Sequence, residues 1–452
     1  MTTSDFAQFD APAGRIIGRR DGAVLRAQGI RYARAARFQP PVPEPPSAAP
    51  IPARQPGPAC PQAPDQLLAQ ALGDFWAGAR FDEDCLHLSV TTPADRRPAE
   101  QLPVLVWIHG GSYVTGAGDL PFYDPARLVA EQRVVVVAVT YRLGLFGFLG
   151  QQGGTPPNLG LLDLLEALRW VQRNIAAFGG DAACVTLLGH SSGGDAAAHL
   201  LVARGAAGLF RRVILHSAPL GLAPGRAPLT RAMTAAVGAL PGAATPADVL
   251  AREPQAWRAA RRFGLKAGMP FGTQYGAEPL PPEADLDAAW RAAAARVDVL
   301  IGTTAEEVRF FAVIDPKFRW LGRVPLLGRP AVRLLVEQVS RRIYGAPADA
   351  FARRHAAAGG RAYRFTLTYQ APGSAFGAAH TVDLPFLLGT EATWARVPLL
   401  GRADWAEIDR AGRQLRQLWV EFARRGQLPE QATIPGVLAL HRVRPATGAA
   451  PG

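Results

Sequence analysis

Apolar positions along this chain follow two alternating patterns. Short uninterrupted runs, VLVWIH (104–109), VVVVAVT (134–140), CVTLLG (184–189), RVILH (212–216) and VDVLIG (297–302), are rich in β-branched residues. Runs of this length suit strands covered on both faces, as in a mostly parallel sheet. Between them the spacing becomes helical. GLLDLLEALRWVQRNIAAFG (160–179) ends at the glycines Gly179 and Gly180, and ADWAEIDRAGRQLRQLWVEFARRG (403–426) is closed by Gly426. Glycine is the usual helix terminator because it accepts the left-handed backbone. Strand alternating with helix predicts the α/β class, with a doubly wound, mostly parallel central sheet flanked by helices. No internal repeat interrupts this pattern. From Gln39 to Pro64 the chain is rich in proline, which is excluded from helix interiors and central strands, so an extended surface segment is expected.

Composition narrows the function classes. The formal charge is +12, yet lysine occurs only at Lys266 and Lys317, and the arginines are scattered. Without a block of like charge or a basic run interleaved with aromatics, nucleic-acid binding is not expected. The arginine-rich, lysine-poor composition suggests a GC-rich bacterial genome. The N-terminal MTTSDFAQFDAPAGRIIG lacks a basic start, an apolar core and a small-residue cleavage site. No apolar stretch reaches the ~18 residues of a membrane span. A cytoplasmic location without stable membrane insertion is therefore expected. There is no His-Glu-x-x-His or paired-cysteine ligand motif, so no metal or cofactor is implied. The sequence assigns no oligomeric state.

The chemistry concentrates at Gly189-His190-Ser191-Ser192-Gly193. A serine on a sharp strand-to-helix turn is exposed by strained backbone, and the residues two before and two after it are crowded together. Both must be nearly without side chains, hence glycine at each. The spacing alone is weak: nine serines in a chain one-tenth glycine give ~0.1 chance matches. An apolar strand running in and the helical DAAAHLLVARG running out make it much stronger. Ser191 is the candidate nucleophile. Upstream, His109-Gly110-Gly111-Ser112 leaves the strand VLVWIH. The amides of Gly110, Gly111 and Ser112, with that of Ser192, are candidate donors for an oxyanion hole, which needs N–H groups fixed before charge develops.

In this fold the order along the chain is serine, acid, histidine. His87, His109 and His190 precede Ser191, and His199 and His216 follow too closely. His355 lies in AFARRHAAAGG, which reads as a solvated helix, and His441 is near a proline-containing tail. His380, in the small-residue loop FGAAHTVDLPF, remains as the candidate base. The acid should lie just beyond a strand end. Glu306 and Glu307 follow the strand 297–302, and local spacing leaves both open.

Taken together, these segments resemble the type-B carboxylesterase family of the α/β-hydrolase superfamily, which includes cholinesterases and bacterial p-nitrobenzyl-type esterases. GIRYARAARFQPP (29–41), EDCLHLSV (83–90), WIHGGSYVTGAG (107–118), YRLGLFGFL (141–149), NLGLLDLLEALRWVQRNIAAFGGD (158–181), GHSSGG, IGTTAEE and GAAHTVDLPF follow in the family's order. The resemblance covers about residues 13 to 430. It implies one domain over 1–452, with a helical and loop substrate-pocket region near 220–296 and 312–360. It implies a small-molecule ester substrate hydrolysed through an acyl-enzyme, with amide or carbamate hydrolysis or non-catalytic binding as alternatives. It assigns the acid to Glu307 ahead of Glu306. Cys60 and Cys85 match a family disulfide, and Trp76 a choline-binding tryptophan, though a packing role is the expectation for Trp76. Four positions depart from the pattern. His190 stands for the usual Glu or Gln, Ser192 for Ala, Val308 for the glycine after the acid, and Ser112 for a glycine or alanine. The segment between Arg226 and Asp298 is also short for the family.

Overall fold

The computed structural model describes residues 6–445 except 65, 77, 98, 151–155 and 241–243. Residues 1–5 and 446–452, counted within the expected single domain, lie outside the described residues. A 13-stranded sheet organises the chain. Its order is Phe6–Ala11, Gly14–Asp21, Val24–Arg31, His87–Pro93, Val135–Val139, Leu102–Ile108, Gly180–His190, Arg212–His216, Asp298–Thr304, Ala362–Leu367, Leu438–Val443 and Gln431–Ile434, with Ile51–Pro52 added beside Gly14–Asp21. From Val135–Val139 to Ala362–Leu367 every pairing is parallel, and the outer strands on both sides pair antiparallel except Ile51–Pro52, which runs parallel to Gly14–Asp21.

The apolar runs are continuous because both faces of the sheet are covered. Successive side chains on a strand point to opposite faces. Val104, Val106 and Ile108 therefore enter one core while Leu105 and Trp107 enter the other. Val135, Val137 and Val139 divide from Val136 and Ala138 in the same way. Trp107 and Trp419 are both buried in the second core.

The long helices end where glycine allows it. Leu159–Asn174 tightens into a 3-10 turn, Ile175–Phe178, and stops at Gly179 with φ 80°. Trp405–Arg425 begins at Asp404, whose side chain accepts from Ala406 N, and ends at Gly426 with φ 65°. Among the described residues no helix is long and apolar enough to cross a membrane.

Three expectations are corrected. The proline-rich segment is extended but is not merely superficial: Ala53, Ala59 and Cys60 are buried. Small residues between the prolines can reach the ladder, and Ala53 N donates to Ile17 O while Ala53 O accepts from Gln28 N. His355 is buried, not solvated, with Nε2 at 2.8 Å from Val297 O. Burial pushes its imidazole down to about 4. His441 belongs to the strand Leu438–Val443, paired on both sides, rather than to a loose tail.

Candidate active site

The strand Gly180–His190 sits inside the parallel part of the sheet and leads directly into the helix Ser192–Leu200. Ser191 joins them at φ 56°, ψ −125°, a backbone region that L-residues rarely occupy and that marks stored strain. Ser191 N donates to His216 O at 2.9 Å, which fixes the turn to the neighbouring strand. The crowding expected of the flanking glycines is present. A Cβ on Gly189 would lie 2.3 Å from Gly193 O, and one on Gly193 would lie 2.1 Å from Ile108 O. No side chain larger than hydrogen fits either position.

The HGGS loop packs over this turn. A Cβ on Gly110 would be 2.9 Å from Ser191 Cβ, so the loop backbone lies directly against the candidate nucleophile. Gly111, Ser112 and Tyr113 all have positive φ (114°, 55° and 62°), which curls the loop. The loop's next amide, Tyr113 N, donates to Ser192 Oγ at 3.2 Å, and Tyr113 Oη to Asp195 Oδ2 at 2.7 Å. The Ser192 hydroxyl therefore ties the loop to the helix, a role that alanine at this position could not fill. Among the described residues the amides of Gly110, Gly111 and Ser112 have no backbone partner. Ser192 N stands in the first turn of its helix, where amides have no intrahelical partner.

Glu307 and His380 meet. His380 Nδ1 lies 2.6 Å from Glu307 Oε2, and Glu307 Oε1 accepts from Thr304 N at 2.8 Å. Both side chains are buried. Glu306 turns elsewhere, accepting from Arg309 Nη1 at 2.9 Å and Ala378 N at 3.1 Å. Local spacing could not separate these carboxylates, but their contacts do. Val308, in place of a glycine, has φ −74° and donates its N–H to Ser340 Oγ at 3.0 Å, so no left-handed conformation is required there. The ring of His190, the residue before Ser191, lies beside His380, with centroids 4.8 Å apart. The Ser191 hydroxyl makes no hydrogen bond to His380, and bonds of this kind are often long before substrate completes the geometry.

Beneath the turn lies a cluster that sequence order hid. His216 Nδ1 is 2.5 Å from Asp383 Oδ2, and Trp419 Nε1 donates to His216 Nε2 at 2.6 Å. Because Trp419 can only donate, His216 Nε2 must accept, and the proton sits on Nδ1 facing Asp383. The other oxygen, Asp383 Oδ1, is 3.6 Å from His190 Nε2, and neither atom has a hydrogen-bond partner. Burial pushes His190 down to about 3, which keeps it neutral. Burial would also raise Asp383, but its histidine neighbours hold the carboxyl well below the ordinary range. The visible signal was a carboxylate three residues after His380, on the same turn.

The remaining positions are structural. His109 is buried against Tyr141, ring centroids 4.5 Å apart, and burial pushes it down to about 4. Trp76 packs among Phe75 and Phe81, as a packing anchor would. Cys60 and Cys85 are buried free thiols, so the disulfide suggested by resemblance is not formed in this structure. Their mutual hydrogen bond, with burial, raises Cys85 well above the usual thiol range. Cys184 is only partly buried, and its Sγ contacts Ala423 O at 3.2 Å. A groove of about 600 Å³ lined by Gln414, Leu418, Glu421 and Ile434 contains none of the site residues.

Residues 6–320 match the model of the carboxylesterase family. The chain belongs to the carboxylesterase family. Para-nitrobenzyl esterase of Bacillus subtilis is 32% identical over 454 residues, covering 93% of this chain and 90% of that protein. A probable N-octanoylanthranilate hydrolase of Rhodococcus erythropolis is 38% identical over 435 residues, covering 94% and 95%. Among solved structures, a thermophilic p-nitrobenzyl esterase superposes with a TM-score of 0.77 at 28% identity, covering 94% of this chain and 92% of that one. This family member has the α/β-hydrolase fold and is a serine carboxylester hydrolase, as the doubly wound sheet and the strained serine had suggested.

Proposed function

We propose that Ser191, His380 and Glu307 carry the ester hydrolysis. The observation that carries this reading is the tautomer imposed on His380. With Nδ1 held 2.6 Å from a buried Glu307, the proton sits on Nδ1 and the lone pair on Nε2. Ser191 Oγ attacks the ester carbonyl as His380 Nε2 takes its proton. The amides of Gly110, Gly111, Ser112 and Ser192 receive the developing oxyanion, and the imidazolium returns the proton to the departing alcohol. Water activated by the same imidazole then releases the acid. Glu307 holds the ring and stabilises the imidazolium as it forms.

Of the regions near 220–296 and 312–360, the part of the second that lines the substrate pocket in this reading is the stretch around Tyr344, and the solvent-exposed turn at Leu326 and Leu327 does not line it. Support comes from Tyr344, whose ring centroid lies 5.4 Å from that of His380, and it is joined by Phe310 and Phe311, just ahead of the second region, at 6.5 and 6.4 Å. Such a wall favours small-molecule esters with an apolar acyl or alcohol group. The relative named for N-octanoylanthranilate supports a second reading, an N-acyl substrate cleaved by the same residues.

The experiment is hydrolysis of p-nitrophenyl acetate, p-nitrophenyl butyrate and a matched p-nitroanilide by the parent and Ser191→Ala. Ester turnover that falls at least about 10⁴-fold in the variant, with circular dichroism unchanged, is the expected result. Ester turnover that survives in folded Ser191→Ala would remove Ser191 from the mechanism. Anilide turnover exceeding that of the ester would favour the N-acyl reading.

A further inference from the structure

Beyond the reaction, one segment is built unlike the rest of the surface. Six of the eleven exposed large apolar side chains among the described residues, Trp320, Val324, Leu326, Leu327, Leu334 and Leu335, fall within sixteen consecutive positions. Leu326 is 94% exposed, Leu327 73%, Trp320 70% and Leu334 58%. The helix Pro316–Leu321 buries no residue, and Gly328–Ser340 buries only Gly328, Val336 and Ser340. They meet at a tight turn: a Cβ on Gly328 would be 2.2 Å from Leu321 O. Leu326 stands on that turn at φ 63°, a strained conformation for leucine that leaves its side chain in solvent. Large apolar side chains exposed this densely along one segment mark an interaction site.

The charge of the segment selects the partner. Between Asp315 and Glu337 lie Lys317, Arg319, Arg323, Arg329 and Arg333, with no carboxylate. None of the five forms an ion pair among the described residues. Elsewhere arginines are commonly paired, as Arg142 is with Asp163 and Arg416 with Glu131. Tryptophan and leucine at a tip, flanked by unpaired arginines, suit the boundary between lipid headgroups and acyl chains. A second copy of the chain is a poorer fit, because a symmetric contact would set these cations against one another.

We propose that residues 316–336 dock the enzyme on an anionic lipid surface. The segment leaves and returns beside the site. Phe311, just before it, and Tyr344, just after it, both lie against His380, and Val308 N donates to Ser340 Oγ across its base. Docking by the exposed turn therefore brings the approach to His380 to the surface. The association is peripheral, with leucine and tryptophan entering the interface and the arginines facing headgroups.

Co-sedimentation of the full chain with vesicles of phosphatidylcholine containing about a third phosphatidylglycerol tests this, beside vesicles of phosphatidylcholine alone. The parent should bind the anionic vesicles, lose binding as salt rises, and bind the neutral ones weakly. Leu326→Asp with Leu327→Asp, and separately Arg323→Glu with Arg329→Glu, should each weaken binding at least about tenfold. Turnover of soluble p-nitrophenyl butyrate should stay within about twofold, which separates docking from catalysis. If one pair of changes impairs folding, the other carries the test. A parent that stays in the supernatant at low salt would overturn the proposal, as would equal binding to both vesicle types or binding unaffected by both pairs. A parent dimer dissociated by the leucine changes, without vesicle binding, would assign the face to a second copy.

Discussion

Two imidazole–carboxylate pairs flank Ser191, and they differ in one nitrogen. In the first, His380 Nδ1 is 2.6 Å from Glu307 and the far nitrogen has no protein partner. In the second, His216 Nδ1 is 2.5 Å from Asp383, but Trp419 occupies the far nitrogen at 2.6 Å. Both pairs are buried, both have short bonds, and both lie next to the strained turn. Geometry of the pair alone therefore does not make a base. What sets the proposed base apart is a nitrogen left free to accept a proton, and a tryptophan N–H removes that freedom from His216 without disturbing its bond to Asp383.

The contrast can be broken at several points. The largest effect should come from Glu307→Gln, which loses the tautomer control on His380 and should lower kcat by about 10³–10⁴-fold with little change in KM. A loss of less than tenfold in steady-state assays would erase the distinction between the two pairs. Asp383→Asn should act mainly on stability, because it leaves two buried imidazoles without their acceptor. A loss of about 3 kcal/mol in urea unfolding is expected, with kcat reduced far less than by Glu307→Gln. Trp419→Phe removes only the donor to His216 Nε2 and should cost about 1–2 kcal/mol, plus any loss from the smaller ring.

His190 adds a pH dependence. Its folded pKa is held near 3, below the ordinary histidine value, so between there and about 6.5 the unfolded chain binds the extra proton. Stability should fall as pH drops through that window, and His190→Gln should flatten this acid limb in denaturant midpoints measured across it. An unchanged limb would show that His190 ionises in place beside Asp383. The smallest effect is expected from Glu306→Gln. It removes a partly exposed pair with Arg309, and turnover should change less than about threefold.

Much of this arrangement was legible from local chemistry. The uninterrupted apolar runs announced strands covered on both faces, and the glycines at 189 and 193 announced a turn with no space for side chains. What stayed hidden depended on long-range contact. His216 and Asp383 are 167 positions apart and Trp419 is further along still, so no local pattern joins them. Glu306 and Glu307 are chemically identical neighbours, distinguished locally only by which way each side chain turns. His355 looked solvated because its helix is rich in arginine, while its own side faces the sheet. The exposed leucines at 326 and 327 escaped notice because apolar residues in a chain are ordinarily assigned to a core.

The hydroxyl of Ser192 has a mechanical consequence. It pins Tyr113 N, just past the glycine loop, to the helix that begins at its own residue. The two walls proposed to receive the substrate's carbonyl oxygen are thereby tied to each other. A cradle tied in this way would need little rearrangement as charge develops on the substrate.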